Sequence, residues 1–305
     1  MISCILTIQC INVGTQLVHV VPLDYPYLLL VPRPSEGDYR HLSIYSFAPS
    51  NILGRLICTL RLSDEESRSE NGVMLWYKVH TGNRPQTSEG HFHADLSLSM
   101  VVLTFDHEYR EDASQRLTHY LIPRATLLAQ IHHAESQQTQ TDSDSRRPGP
   151  AMQAVPWADW GPQGCLRLSR RNVQVQLAVA MPFGTRFPLF VVDESDSRSA
   201  SVYVFDINPY VARYQRQVLA ARKHDPAAGT SMGTIIEDIE AVLPGVVDPN
   251  CSSIPYVVYR FPLPYAPEEW HVRQFIRAVV MGMTGFTVKV SICAMSIRIL
   301  GSNGP

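Results

Sequence analysis

What this chain lacks narrows it first. Its six cysteines, at 4, 10, 58, 165, 251 and 293, include no Cys-x-x-Cys pair, so the spacing of a zinc or dithiol redox site is missing. Their scatter reads as reduced, mostly buried thiols of an intracellular protein, cytoplasmic or nuclear. No stretch approaches the ~18 consecutive apolar residues of a membrane-spanning helix; the run over 28–31 is far too short. The apolar start, residues 1–10, has no basic leader and is followed closely by Asn12, which suits a strand better than a secretion signal. Neither sign of charge is in excess: 26 Lys and Arg face 28 Asp and Glu, mixed along the chain. That balance leaves no electrostatic footprint for nucleic acid or an anionic membrane. No Gly-x-Ser-x-Gly elbow, Gly-x-Gly-x-x-Gly loop or Walker-type Gly-Lys-Ser/Thr occurs, so acyl-hydrolase, dinucleotide and P-loop chemistries lack their starting residues. The sequence predicts neither an enzyme nor a cofactor.

What is present is β-forming. Across 305 residues, 45% of them apolar, short runs rich in β-branched and aromatic residues are divided by turn formers. Strands are predicted over 17–21, 27–31, 41–47, 56–62, 73–79, 96–105, 117–122, 173–181, 187–192, 201–205, 255–261, 276–280 and 286–292. Alternation is clean in several: Val173, Val175, Leu177 and Val179 share one face, and Asn172, Gln174 and Gln176 the other. Many strands at steady spacing imply sheet stacked on sheet. At this length the reading is an all-β fold, a propeller-like array of short antiparallel strands with two short surface helices, although no Trp-Asp or Gly-His repeat occurs. The expected organisation is an N-terminal strand or extension over 1–16, a single β-rich domain over 17–292, and an irregular tail over 293–305.

The two helices have local signals. Asn208 can cap a helix whose first turn holds Pro209 and whose Val211, Tyr214 and Val218 recur at helical spacing. Pro123 likewise opens a segment to His132 with Leu127, Leu128 and Ile131 in one stripe. Residues 136–150 follow, polar and without a large apolar side chain, and are expected to be a disordered insertion because they bury too little to offset ordering. Ser63 opens a smaller polar loop, and 223–233 is rich in Ala and Gly.

Two of the four tryptophans stand in Val155-Pro156-Trp157-Ala158-Asp159-Trp160-Gly161-Pro162. The prolines restrict the backbone, Asp159 suits a turn hydrogen bond, Gly161 permits a tight bend, and the indoles offer large amphipathic faces. Trp157, Asp159 and Trp160 are therefore the candidate binding residues, a clamp for a protein partner. The alternative is that both indoles pin the segment to the sheet. His91 and His93 lie on one side of an extended segment, in phase with Glu89 and Asp95, a pattern that could serve a metal-dependent enzyme on a β scaffold. No third or fourth ligand can be assigned among His107, Glu108, His119, His132 and His133, so no metal is predicted. Asp193, Glu194 and Asp196 read as a solvated hairpin tip rather than a paired acid and base.

Three segments carry a resemblance. Val155 to Pro162 is similar to a Pro-Trp-x-x-Trp-Gly-Pro segment, and follows a hairpin, a Pro-Arg-x-x-Leu helix and a polar insertion. Val204-Phe-Asp-Ile-Asn-Pro-Tyr210 and Ile254-Pro-Tyr-Val-Val-Tyr-Arg260 match two further motifs. Together they resemble the region downstream of the F-box in basidiomycete fungal F-box-domain proteins, over roughly residues 17–290. The resemblance implies a non-enzymatic module that recruits protein substrates to a ubiquitin ligase. No F-box precedes Leu17, so no direct Skp1 contact is expected and the recruited protein is unspecified. The alternative is a truncated gene product without independent function.

Overall fold

Along an extended backbone, successive side chains leave on opposite faces, so a strand with apolar residues at every position is built to be covered on both sides. Ala200–Asp206 comes close to this, with Ser201 and Asp206 as its polar exceptions, and is buried at all seven positions. Each large apolar side chain gains about 1.5–3 kcal/mol on leaving water, against about 1–2 kcal/mol per residue for ordering the backbone. A strand covered on both faces is thus favourable at nearly every residue, and the architecture follows from providing that cover.

The computed structural model describes residues 12–13, 16–32, 41–48, 54–63, 72–81, 98–109, 115–142, 154–171, 179–192, 199–222, 234–251, 253–263, 276–281, 285–290 and 296–300. The first sheet is a meander of β1 (Asn12–Val13), β2 (Gln16–Pro22), β3 (Tyr27–Pro32), β4 (His41–Ser46) and β5 (Arg55–Arg61), in that order. The second is β6 (Gly72–Thr81), β7 (Met100–Tyr109), β8 (Gln115–Pro123) and β9 (Leu166–Arg171), with α1 (Arg124–Asp142) and α2 (Trp157–Gly164) inserted before β9. Next in the chain come β10 (Val179–Met181), β11 (Arg186–Val192), β12 (Ala200–Asp206), α3 (Pro209–Arg222), β13 (Thr234–Ile236), α4 (Ile239–Val242), a 3-10 turn (Pro249–Cys251) and β14 (Val257–Pro262). The third sheet has the order β11-β12-β14-β13. The fourth joins β10 to β15 (Ile276–Met281), β16 (Gly285–Val290) and β17 (Ser296–Leu300) in the order β10-β15-β16-β17. All the ladders within these sheets are antiparallel except β10 with β15.

The sheets stack face to face in chain order, and side-chain alternation shows it. Val101, Leu103 and Phe105 of β7, with Tyr120 and Ile122 of β8, join Leu29, Leu42, Ile44 and Leu60 of the first sheet in one core. From the opposite face of the same strands, Met100, Val102 and Leu121 meet Phe187, Leu189, Tyr203 and Phe205 of the third sheet. Phe190, Val192, Val202 and Val204 leave the other side of β11 and β12 and pack on Val279, Met281, Phe286 and Val288 of the fourth. Among the described residues the series does not close into a barrel or ring. The stacked, mostly antiparallel β architecture expected from strand spacing is present. No helix among the described residues is long and apolar enough to cross a membrane.

Several segments differ from expectation: the described residues hold four α-helices where two were expected, and β13 was not predicted. Helix α1 does not stop at His132 but runs on to Asp142, into the stretch expected to be disordered. Local and tertiary bonds hold its first polar turns: Ser136 Oγ donates to His132 O (2.7 Å), Arg55 donates to Gln138 Oε1 (3.2 Å), and the Tyr27 hydroxyl donates to Glu135 Oε1 (3.0 Å). Ser296–Leu300, within the segment expected to be irregular, pairs with β16. Strand β9 was not expected; Leu166, Arg167, Leu168 and Ser169 alternate as in a half-buried strand, yet Arg167 is buried, so both faces are covered. The predicted alternation over 172–178 lies outside the described residues.

Phe205 has no solvent exposure and joins the second and third sheets. Phe205→Ala should lower stability by about 3–5 kcal/mol, read as a fall in the urea midpoint at unchanged slope. A loss below about 1 kcal/mol would contradict the packing described.

Candidate functional site

The tryptophan segment is a helix. Eight residues, Trp157–Gly164, with a proline inside and a glycine in the middle, have poor helix propensity and are too short to persist alone. Tertiary bonds at both ends hold them. Val155 bridges to β5: Val155 N donates to Thr59 O (2.8 Å) and Arg61 N to Val155 O (2.9 Å). Pro156, extended at φ −67° and ψ 152°, precedes the first turn without a side-chain cap. At the far end Thr126 Oγ1 of α1 donates to Gly164 O at 2.9 Å.

Trp160 is buried, and its indole Nε1 donates to Arg61 O at 2.9 Å. Trp157 is half-buried. Its ring meets that of Trp160 edge-on (5.1 Å, 80°) and that of Tyr120 likewise (5.4 Å, 88°). Tyr120 in turn stands edge-on to Phe105 at 5.7 Å. Such pairs contribute about 0.5–1.5 kcal/mol each beyond area burial. Gly161 is no bend: a Cβ there would lie 2.2 Å from atoms of the Trp157 indole. The missing side chain makes room for the ring one turn back.

Behind Tyr120 sits a buried cation. The Arg167 guanidinium lies 5.7 Å from the Tyr120 ring centroid, and its Nη1 donates to Asp248 Oδ2 at 2.7 Å. Asp248 belongs to a strap laid along β9: Ser169 N donates to Val246 O (2.7 Å) and Asp248 N to Arg167 O (3.0 Å). Its carboxylate also accepts from Asn250 N (2.9 Å) and from Cys251 Sγ (3.8 Å). The pair is nearly sealed from water, with side chains 2% and 11% exposed. Removing either partner from such a pair typically costs about 3–5 kcal/mol, because the other charge stays buried.

Of the predicted binding residues, the structure brings Trp157 and Trp160 together and sends them inward. The pinning alternative therefore describes Trp160, which has no face left for a partner. Asp159 stands apart and exposed. Its N donates to Pro156 O at 3.0 Å, while its carboxylate takes no hydrogen bond among the described residues and lies in the first turn, where the helix dipole favours an anion. Ala158, Gln163 and Pro156 are exposed beside it. Sequence reasoning missed Tyr120, Arg167 and Asp248. Nothing in the sequence marked them: an arginine between two leucines reads as the solvent side of a half-buried strand, and its carboxylate partner is 81 residues away.

Catalytic groupings do not assemble among the described residues. His119 is buried in the second sheet with Nδ1 2.9 Å from Thr104 Oγ1 and its ring on Phe187. His132 and His133 are exposed on α1. No three His, Cys, Asp or Glu residues among those described could hold a metal ion. His91, His93, Asp193, Glu194 and Asp196 lie outside the described residues. Burial pushes the Cys58 thiol up to about 11, so it is not a thiolate near neutrality. Comparison with protein-family models, with curated proteins and with solved structures finds no match to this chain.

Two outcomes are expected. Gly161→Ala destabilises by about 1–3 kcal/mol by overpacking, but in a Trp157→Ala background it becomes neutral or stabilising by up to about 1 kcal/mol, as helix propensity alone dictates. Equal effects in both backgrounds, in a double-mutant cycle of urea melts, would disprove the ring-over-glycine contact. Separately, iodoacetamide at pH 8 should leave Cys58 unmodified in the native protein and alkylate it in urea, read by peptide mass spectrometry; rapid native labelling would contradict its burial.

Proposed function

We propose that this chain is a non-enzymatic protein-interaction module, akin to the substrate-recruitment part of a fungal F-box adaptor of a ubiquitin ligase. The observation that carries the proposal is the division of labour within α2. Trp157 and Trp160 anchor the helix from inside, while Ala158, Asp159 and Gln163 form an exposed ridge on it. A ridge fixed by internal anchors loses little entropy on docking, which favours affinity from a small contact. The motif resemblance at Val155 to Pro162, Val204 to Tyr210 and Ile254 to Arg260 supports the same reading. In it, the four stacked sheets are blades of a propeller-like array, a scaffold that carries binding surfaces on rigid elements. The partner is an intracellular protein met in the cytoplasm or nucleus.

The test uses Ala158→Arg/Asp159→Arg, which touches no buried group. Wild type and variant, matched in thermal midpoint, are used for quantitative affinity capture from a lysate of cells that express the protein. A specific set of proteins should fall at least about tenfold in the variant, a loss of about 1.4 kcal/mol. Identical capture by both would remove α2 as the recruiting surface.

A further inference from the structure

Five large apolar or aromatic side chains among the described residues are well exposed, and two of them share one helix: Tyr210 (66%) and Tyr214 (62%) of α3. Their four-residue spacing puts them on one face, one turn apart. Arg213 lies between them in sequence and is exposed, as are Arg216 and Gln217. The helix contains no Asp or Glu over its fourteen residues. Neither tyrosine side chain and neither of these arginines has a hydrogen-bonding or ionic partner among the described residues. This is a patch of one sign on a chain whose net charge is −2.

The inner face of α3 is fixed. Ala212 has no exposure, and Gln215 hydrogen-bonds Tyr259 of β14. Asn208 Oδ1 accepts from Tyr210 N (2.9 Å) and Val211 N (3.5 Å) as the helix cap. Asp206 Oδ1 braces that cap by accepting from Asn208 N (3.0 Å) and Thr185 Oγ1 (2.8 Å). Tyr210 therefore stands on an anchored first turn, with Tyr214 one turn further on, and the pair needs little ordering on contact.

We infer that the solvent side of α3, with Tyr210 and Tyr214 side by side and Arg213 and Arg216 along one flank of them, docks an acidic protein segment whose carboxylates lie to one side of an apolar or aromatic side chain. The phenol rings supply the apolar contact, and the guanidiniums pair with the carboxylates in a bidentate manner. Tyrosine and arginine are the residue types in which interface energy concentrates. Charge complementarity selects the partner's sign. Protein is favoured over nucleic acid because two arginines neutralise too few phosphates to hold a strand at physiological salt. The inner side of α3 packs on β14 of the third sheet, and the inference does not depend on the role proposed for α2.

The test measures anisotropy of a fluorescein-labelled random glutamate–tyrosine copolymer titrated with the full chain, beside polyglutamate and polyuridylate. The variants are Arg213→Glu/Arg216→Glu and Tyr210→Ser/Tyr214→Ser, with helical content and thermal midpoint checked by circular dichroism. Saturable binding of the copolymer is expected, at least about tenfold weaker in each variant and weakened as salt rises. Polyglutamate should bind at least about tenfold more weakly than the copolymer. The α2 variant Ala158→Arg/Asp159→Arg should bind the copolymer as wild type does, which separates failure of this inference from failure of the α2 reading. Absence of saturable binding, indifference to either double substitution, or tighter binding of polyuridylate through the same four residues would overturn it.

Discussion

A buried positive charge organises the middle of this molecule. Arg167 leaves β9 where its neighbours are leucines, and a guanidinium there is tolerable only with a carboxylate against it and a polarisable ring beside it. Asp248 supplies the first and Tyr120 the second. Each has structural consequences. Holding Asp248 in place requires the strap from Val246 to Cys251 to lie along β9. Holding Tyr120 requires its ring to be wedged between Phe105 and Trp157. Trp157 then lies over Gly161, Trp160 hangs from Arg61, and the first sheet, α2, the second sheet and the strap are joined through a single chain of contacts.

Much of the strand pattern was legible in the sequence, since β-branched runs between turn formers mark most of the ladders of all four sheets. The cap at Asn208 was legible too, because an Asn-Pro pair ahead of an amphipathic run satisfies free backbone donors by local chemistry alone. Helix α2 was not, because proline, glycine and tryptophan argue against a helix. What holds it are Val155 on β5, Thr126 on Gly164 and Trp160 on Arg61, all distant in sequence, and tertiary bonding overrides propensity. The polar half of α1 escaped for a similar reason. Its partners Tyr27 and Arg55 belong to strands some eighty or more residues earlier.

The candidate site divides in the same way. The tryptophans announce themselves by composition, yet the feature that draws the eye in sequence is interior in the fold. What is left outside is modest in chemistry: Ala158, Asp159 and Gln163 on one helix, Tyr210, Arg213 and Tyr214 on another. The large residues of α2 spend their surface on position, and the small ones meet solvent. On α3 the relation is reversed, with Ala212 inside and the tyrosines out.

The parallel pairing of β10 with β15 has a consequence for biosynthesis. Met181 ends β10 roughly a hundred residues before Ile276 begins β15, so a ribosome adding ~5–20 residues per second delivers the partner strand some 5–20 s later. The first and second sheets are complete in the nascent chain by then, and the whole third sheet must emerge and assemble while β10 waits with its hydrogen-bonding edge open. The last layer of the stack is therefore started early and finished late, and that interval is when the growing chain is most exposed to pairing with the wrong strand.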